Sequence, residues 1–141
     1  MGTWRDPKVI KQLLTTPATW AVVGLSANDK RTAYSIAQYL RGELGMKIVP
    51  VNLRGEDALG ERGYRQLADI PGPVDVVDCF VNSQRVGAVV DQAIAEKDRL
   101  GIKAVWLQLG VIDEGAAQRA RAAGLDVVMD TCPAMEAPGL E

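Results

Sequence analysis

Five short apolar runs recur along this chain, and an amphipathic stretch separates each from the next. That alternation limits what the chain can fold into more than any other feature. Runs at 20–25, 46–51, 74–81, 103–109 and 125–129 read as strands. Between them, apolar residues spaced three and four apart read as helices. Ala33, Ile36, Ala37, Leu40 and Leu44 mark one, with Gly45 placed to end it. Val86, Val89, Val90, Ala93 and Ile94 mark the next, and Ala116, Ala117, Ala120 and Ala123 mark a third that Asp113 opens. One more helix precedes the first strand. Asp6 is its N-cap, Pro7 its first residue, and Val9, Ile10, Leu13 and Leu14 its apolar stripe. The segment 53–62 is polar and glycine-rich and reads as a loop, with a short helix expected at 64–68. Ile70-Pro71-Gly72-Pro73 breaks the chain before the third strand, and the tail from Thr131 has no pattern to assign.

Strands alternating with helices imply a parallel sheet covered on both faces. The first run is apolar without alternation, as a central strand buried on both sides should be. The expected fold is therefore α/β, a Rossmann-like doubly wound parallel sheet of about five strands. At 141 residues, with no repeat or low-complexity linker, residues 1–141 read as one domain.

Composition excludes several classes of function. The net charge of −2 gives no global attraction to nucleic acid or to an acidic membrane. No apolar run approaches the roughly 20 residues of a membrane span. The stretch 1–7 lacks the apolar core of a secretory signal. Cys79 and Cys132 do not make a disulfide framework, so the expected compartment is the cytoplasm. Histidine is absent, which removes Ser-His-Asp and Cys-His catalysis, phosphohistidine chemistry and histidine metal sites. Cys79 lies inside an apolar run, where burial makes a thiol inert.

In open parallel sheets, ligands bind beyond the carboxyl ends of the strands, near the point where strand order switches. The first such end is Gly24-Leu25-Ser26-Ala27-Asn28-Asp29-Lys30-Arg31. It lacks the three glycines of a dinucleotide fingerprint. One reading of Gly24 is a plain strand-to-helix turn. The other is close approach of backbone to a diphosphate, with the amides of the next helix, Lys30 and Arg31 facing the anion. At the second end, Asn52-Leu53-Arg54 has no carboxylate for a ribose hydroxyl and carries an arginine instead. Arg54 reads either as a solvated loop charge or as a partner for a phosphorylated ribose, which occurs in NADP and in coenzyme A.

These segments resemble the small CoA-binding domain family. Its fold recurs as the N-terminal domain of the succinyl-CoA synthetase alpha subunit and of ADP-forming acyl-CoA synthetases. Ala21-Val22-Val23-Gly24-Leu25-Ser26 with Asp29-Lys30, then Ile48-Val49-Pro50-Val51-Asn52, then Leu67-Ala68-Asp69-Ile70-Pro71-Gly72-Pro73-Val74-Asp75 carry the likeness, and Cys132-Pro133 is similar to the close of that domain. The resemblance implies CoA, or an acyl-CoA, bound across the strand ends. It implies contacts from Gly24, Leu25, Ser26, Lys30 and Arg31, from Asn52 and Arg54, from Phe80, Val81 and Asn82, and from Leu109 and Gly110. Leu53-Arg54 departs from the family's Pro-Lys pair, which keeps the charge and changes the turn. Asn82 also reads as a helix cap, and Gly110 as a turn residue. The large synthetases use a phosphorylated histidine and a nucleotide-grasping unit, so ligase chemistry does not carry over. The expectation is a CoA-binding domain with no catalytic or metal-ligating residues of its own, open to a protein partner or a homo-oligomer. The alternatives are an NADP-binding enzyme or sensor, and an adaptor whose nucleotide pocket is vestigial.

Overall fold

The computed structural model describes residues 4–140; residues 1–3 of the 1–7 stretch, and Glu141, lie outside the described residues. Five parallel strands form one sheet in the order β2-β1-β3-β4-β5. They are β1 (Thr19–Val23), β2 (Lys47–Val51), β3 (Val76–Cys79), β4 (Ala104–Leu107) and β5 (Asp126–Val128). The order reverses between β1 and β3, so a doubly wound sheet has its crevice there. The helices are α1 (Pro7–Thr15), α2 (Thr32–Gly42), α3 (Ser83–Leu100), α4 (Glu114–Ala122) and the short α5 (Pro133–Glu136).

Alternation along each strand divides the core in two. Trp20, Val22, Ile48, Val76, Trp106 and Val128 face the layer containing α1 and α2, where Ile10, Leu14, Ile36 and Leu40 pack on them. Ala21, Val23, Val77, Cys79, Val105 and Val127 face α3 and α4, against Val86, Val90, Ala116 and Ala120. The alanines of α4 let that helix lie close to α3 and the sheet.

The differences from the sequence expectations have local causes. β1 ends at Val23, because Gly24 turns the backbone to φ +105 and takes Leu25 out of the ladder. The helix expected at 64–68 is a 3-10 turn at Leu67–Asp69. α2 ends at Gly42, and Gly45 makes its left-handed turn later, at φ +72. The unassigned tail forms α5 and a 3-10 turn at Ala137–Leu140, with Pro133 in the first turn of the helix. α5 packs against α2, a tertiary contact that no local pattern announces.

Candidate functional site

The carboxyl edge of the sheet is a row of loops joined side by side by hydrogen bonds. The Gly24 amide donates to Val51 O at 2.7 Å, tying the β1 loop to the end of β2. The Asn52 side-chain amide donates to Leu25 O and to Glu56 O, each at 2.9 Å. Its carbonyl accepts from the Arg54 and Glu56 amides at 3.2 and 2.8 Å. Asn52 thus uses both ends of its side chain to fix the loops after β1 and β2 against each other.

Gly24 also touches the third loop. A Cβ built on it would lie 2.6 Å from the Phe80 carbonyl oxygen, so only glycine fits between β1 and the end of β3. Farther along, the Ile112 amide donates to Ser83 Oγ at 3.0 Å, and the Gly110 amide donates to Asp130 Oδ1 at 2.7 Å. Asp130 in turn holds Arg5, with 2.9 Å between guanidinium and carboxylate.

The β1 loop prepares the start of α2 by local turns. The Asn28 amide donates to Ser26 Oγ at 3.3 Å, and the Lys30 amide donates to Asn28 Oδ1 at 3.1 Å. Lys30 and Arg31 are exposed. α1, α3 and α4 are each capped by a side chain, from Asp6, Asn82 and Asp113. At α2 the N-cap is Arg31, and among the described residues no side chain caps it. First-turn amides without a side-chain acceptor, beside two cations, suit an anion.

The sequence-derived residues fall into distinct roles. Gly24, Ser26, Lys30, Arg31, Asn52 and Arg54 gather at the β1 and β2 ends. Phe80, Val81 and Asn82 follow β3, and Leu109 and Gly110 follow β4. The Leu25 side chain is fully buried in the core, so only its backbone reaches the loop. Arg54 is 86% exposed and lies 3.9 Å from Glu56. Asn82 accepts from the Arg85 amide at 3.0 Å, which is the capping role. Leu109 is exposed.

Two polar residues lie beneath this edge, one within the apolar run 74–81 and one at the end of the run 103–109. Asp78 and Gln108 are both buried, and Gln108 Nε2 donates to Asp78 Oδ1 at 2.5 Å. Burial pushes the Asp78 carboxyl up to about 8, and the Gln108 bond only partly opposes that. The carboxyl is therefore largely neutral at pH 7. A charged residue type inside the apolar run 74–81 was the available signal. Beside it, burial first and the neighbouring Asp78 second push the Cys79 thiol far above its ordinary range.

Comparison with known proteins finds a matching family model, relatives in sequence and solved structures of the same fold. Residues 18–138 match the family model described as a CoA binding domain. The chain is 33% identical over 123 residues to the protein YneT of Bacillus subtilis strain 168, covering 87% of each chain. It is 33% identical over 89 residues to the alpha subunit of acetate–CoA ligase [ADP-forming] II of Pyrococcus furiosus, covering 63% of this chain and 19% of that subunit. Among solved structures, a hypothetical protein from Pyrococcus horikoshii OT3 superposes with a TM-score of 0.87 at 32% identity, covering 99% of this chain and 96% of that one.

Proposed function

Because the chain belongs to the CoA binding domain family, we propose that it binds CoA or an acyl-CoA along the carboxyl edge of its sheet, without a catalytic apparatus of its own. The observation that carries this reading is the start of α2 at the β1–β3 switch point. Its first-turn amides have no side-chain cap, and Lys30 and Arg31 flank them. A diphosphate suits that charge and geometry. Arg54, exposed on the adjoining loop, suits the phosphate on the ribose of CoA. Gly24 keeps the gap between the β1 and β3 loops free of a side chain, and Phe80, Val81, Leu109 and Gly110 continue the edge for the pantetheine arm. Within this reading, Asn52 acts by holding the two phosphate-side loops in register. The absence of histidine from the sequence supports a binding role over the ligase chemistry of the large synthetases.

A thermal-shift series with CoA, NADP and ATP tests the reading. A ligand that binds only the native state raises the melting temperature. CoA is expected to give the largest rise. A larger rise with NADP replaces this reading with a dinucleotide one. No rise with any of the three, together with a co-purifying protein, favours the adaptor.

A further inference from the structure

Among the described residues, the large apolar side chains left exposed are Leu53, Leu109, Ile112 and Met135. Leu53 follows β2, Leu109 and Ile112 lie in the loop after β4, and Met135 lies on α5. Ile112 also lines a shallow, solvent-open cavity of about 650 Å³ between the segment preceding α1 and the loop entering α4. Its apolar walls include Trp4, Pro7, Ile112 and Met129, and Asp6 and Glu114 stand among its polar lining.

This cavity is constructed by specific contacts. The Met129 amide donates to Trp4 O at 2.9 Å, so the N-terminal segment lies beside the end of β5. The Trp4 indole donates to Glu114 at 3.4 Å, and the Arg121 guanidinium lies 3.9 Å from the ring centroid. Arg5 is held by Asp130, and the same carboxylate accepts from the Gly110 amide. The cavity is therefore joined directly to the loop that ends in the proposed CoA edge.

We propose, on the basis of the CoA reading above, that this cavity receives the acyl group of an acyl-CoA thioester, and that it selects an uncharged, apolar acyl group. Reach supports the assignment. β5 lies three strand spacings from β1, roughly 14 Å. A pantetheine arm, with its two amides, is comparable to about four residues of extended backbone, roughly 14 Å. An arm starting from a diphosphate at the β1 loop thus ends beside Gly110 and Ile112. The volume is in the range of small-molecule pockets. Charge sets the selectivity. Asp6, Glu114 and Asp130 stand against Arg5, which pairs with Asp130, and Arg121 over the Trp4 ring, so one negative charge is left in excess. An acyl group ending in a carboxylate meets repulsion there, whereas a hydrocarbon meets Trp4, Ile112 and Met129.

Calorimetric titration of the full chain with CoA, butyryl-CoA and malonyl-CoA tests this. Butyryl-CoA is expected to bind about fivefold tighter than CoA or more, and malonyl-CoA weaker than butyryl-CoA by at least as much. In Ile112→Asp the ratio of butyryl-CoA to CoA affinity is expected to fall to about one. NMR of methyl-labelled methionine gives a readout on the unaltered chain. The Met129 methyl is expected to shift with butyryl-CoA beyond its response to CoA, while that of Met46, buried at the opposite edge, stays in place. Tight CoA binding with no acyl advantage, or an advantage that survives Ile112→Asp, overturns the acyl site and leaves the CoA reading standing. Failure of both CoA and butyryl-CoA to bind overturns both.

Discussion

Gln108 donates to Asp78 across the β3–β4 ladder at 2.5 Å, in an interior where Asp78 is fully enclosed and its Oδ2 has no hydrogen-bond partner among the described residues. A charged carboxylate there lacks the compensation that burial demands, so the folded chain keeps the proton. The folded value is about 8, against 3.8 for the free side chain. Between about pH 4 and 8 the unfolded chain has released a proton that the folded chain retains. This group's contribution therefore makes stability fall as pH rises through that window, by at most about 1.4 kcal/mol per pH unit, and level off above it. Asp78→Asn mimics the neutral carboxyl. It is expected to remove the slope and to be more stable than the parent at pH 8. Urea denaturation across pH 4–9 checks this, and parallel profiles for the two proteins contradict it.

Gly24→Ala places a methyl 2.6 Å from the Phe80 carbonyl oxygen, at a backbone φ of +105. Strain and collision together are expected to cost on the order of 2–4 kcal/mol. Gly42→Ala is the control, since a Cβ there meets nothing within 4 Å and the residue is helical. It is expected to be neutral or stabilising by up to about 1 kcal/mol. Equal urea midpoints for the two variants would remove the special status of Gly24.

Asn52→Ala deletes the acceptor of two loop amides and the donor to two loop carbonyls. The expected loss is about 1–3 kcal/mol of stability, with weaker CoA binding as the two loops lose register. Asn52→Asp restores the acceptor and lacks the donor, so it is expected to remain impaired. Full recovery in the Asp variant, measured by thermal melting and titration, would show that the donor bonds to Leu25 and Glu56 do not matter.

Arg54→Ala is expected to leave the melting temperature in place, because the side chain is 86% exposed and its Glu56 partner is 3.9 Å away. Its CoA affinity is expected to fall about three- to tenfold, with dephospho-CoA affinity unchanged. Equal losses for both ligands would take the ribose phosphate away from Arg54.

Cys79 is buried with its thiol held in the neutral form, whereas Cys132 is half-buried at the start of α5. Iodoacetamide applied to the native protein is expected to modify Cys132 and spare Cys79. Peptide mapping that finds Cys79 alkylated first would contradict this.

The periodicity of the sequence carries the fold far. The five apolar runs are the five strands, and Asp6-Pro7, Asn82 and Asp113 sit at helix starts as their chemistry demands. Those signals are local. Strand ends were less legible, because the exit at Gly24 depends on contact with Phe80, and α5 depends on packing against α2. The gathering of Gly24, Asn52, Phe80 and Gly110 on one edge followed from the parallel topology. What each side chain does there did not follow. The cap made by Asn82 is local and legible in the sequence, whereas the bond from Asn52 to Leu25 O and the enclosure of the Leu25 side chain arise from neighbours far along the chain. The cavity beside Trp4 was invisible for the same reason, since it forms where the N-terminal segment meets β5.

The most direct measurement is amide chemical-shift mapping of the full chain during titration with CoA. The account predicts shifts at residues 24–32, 52–54, 80–82 and 109–110, with the opposite edge around Gly45, Val74 and Gly101 unmoved. Shifts confined to that opposite edge, or a spectrum unchanged at saturating CoA, would contradict it.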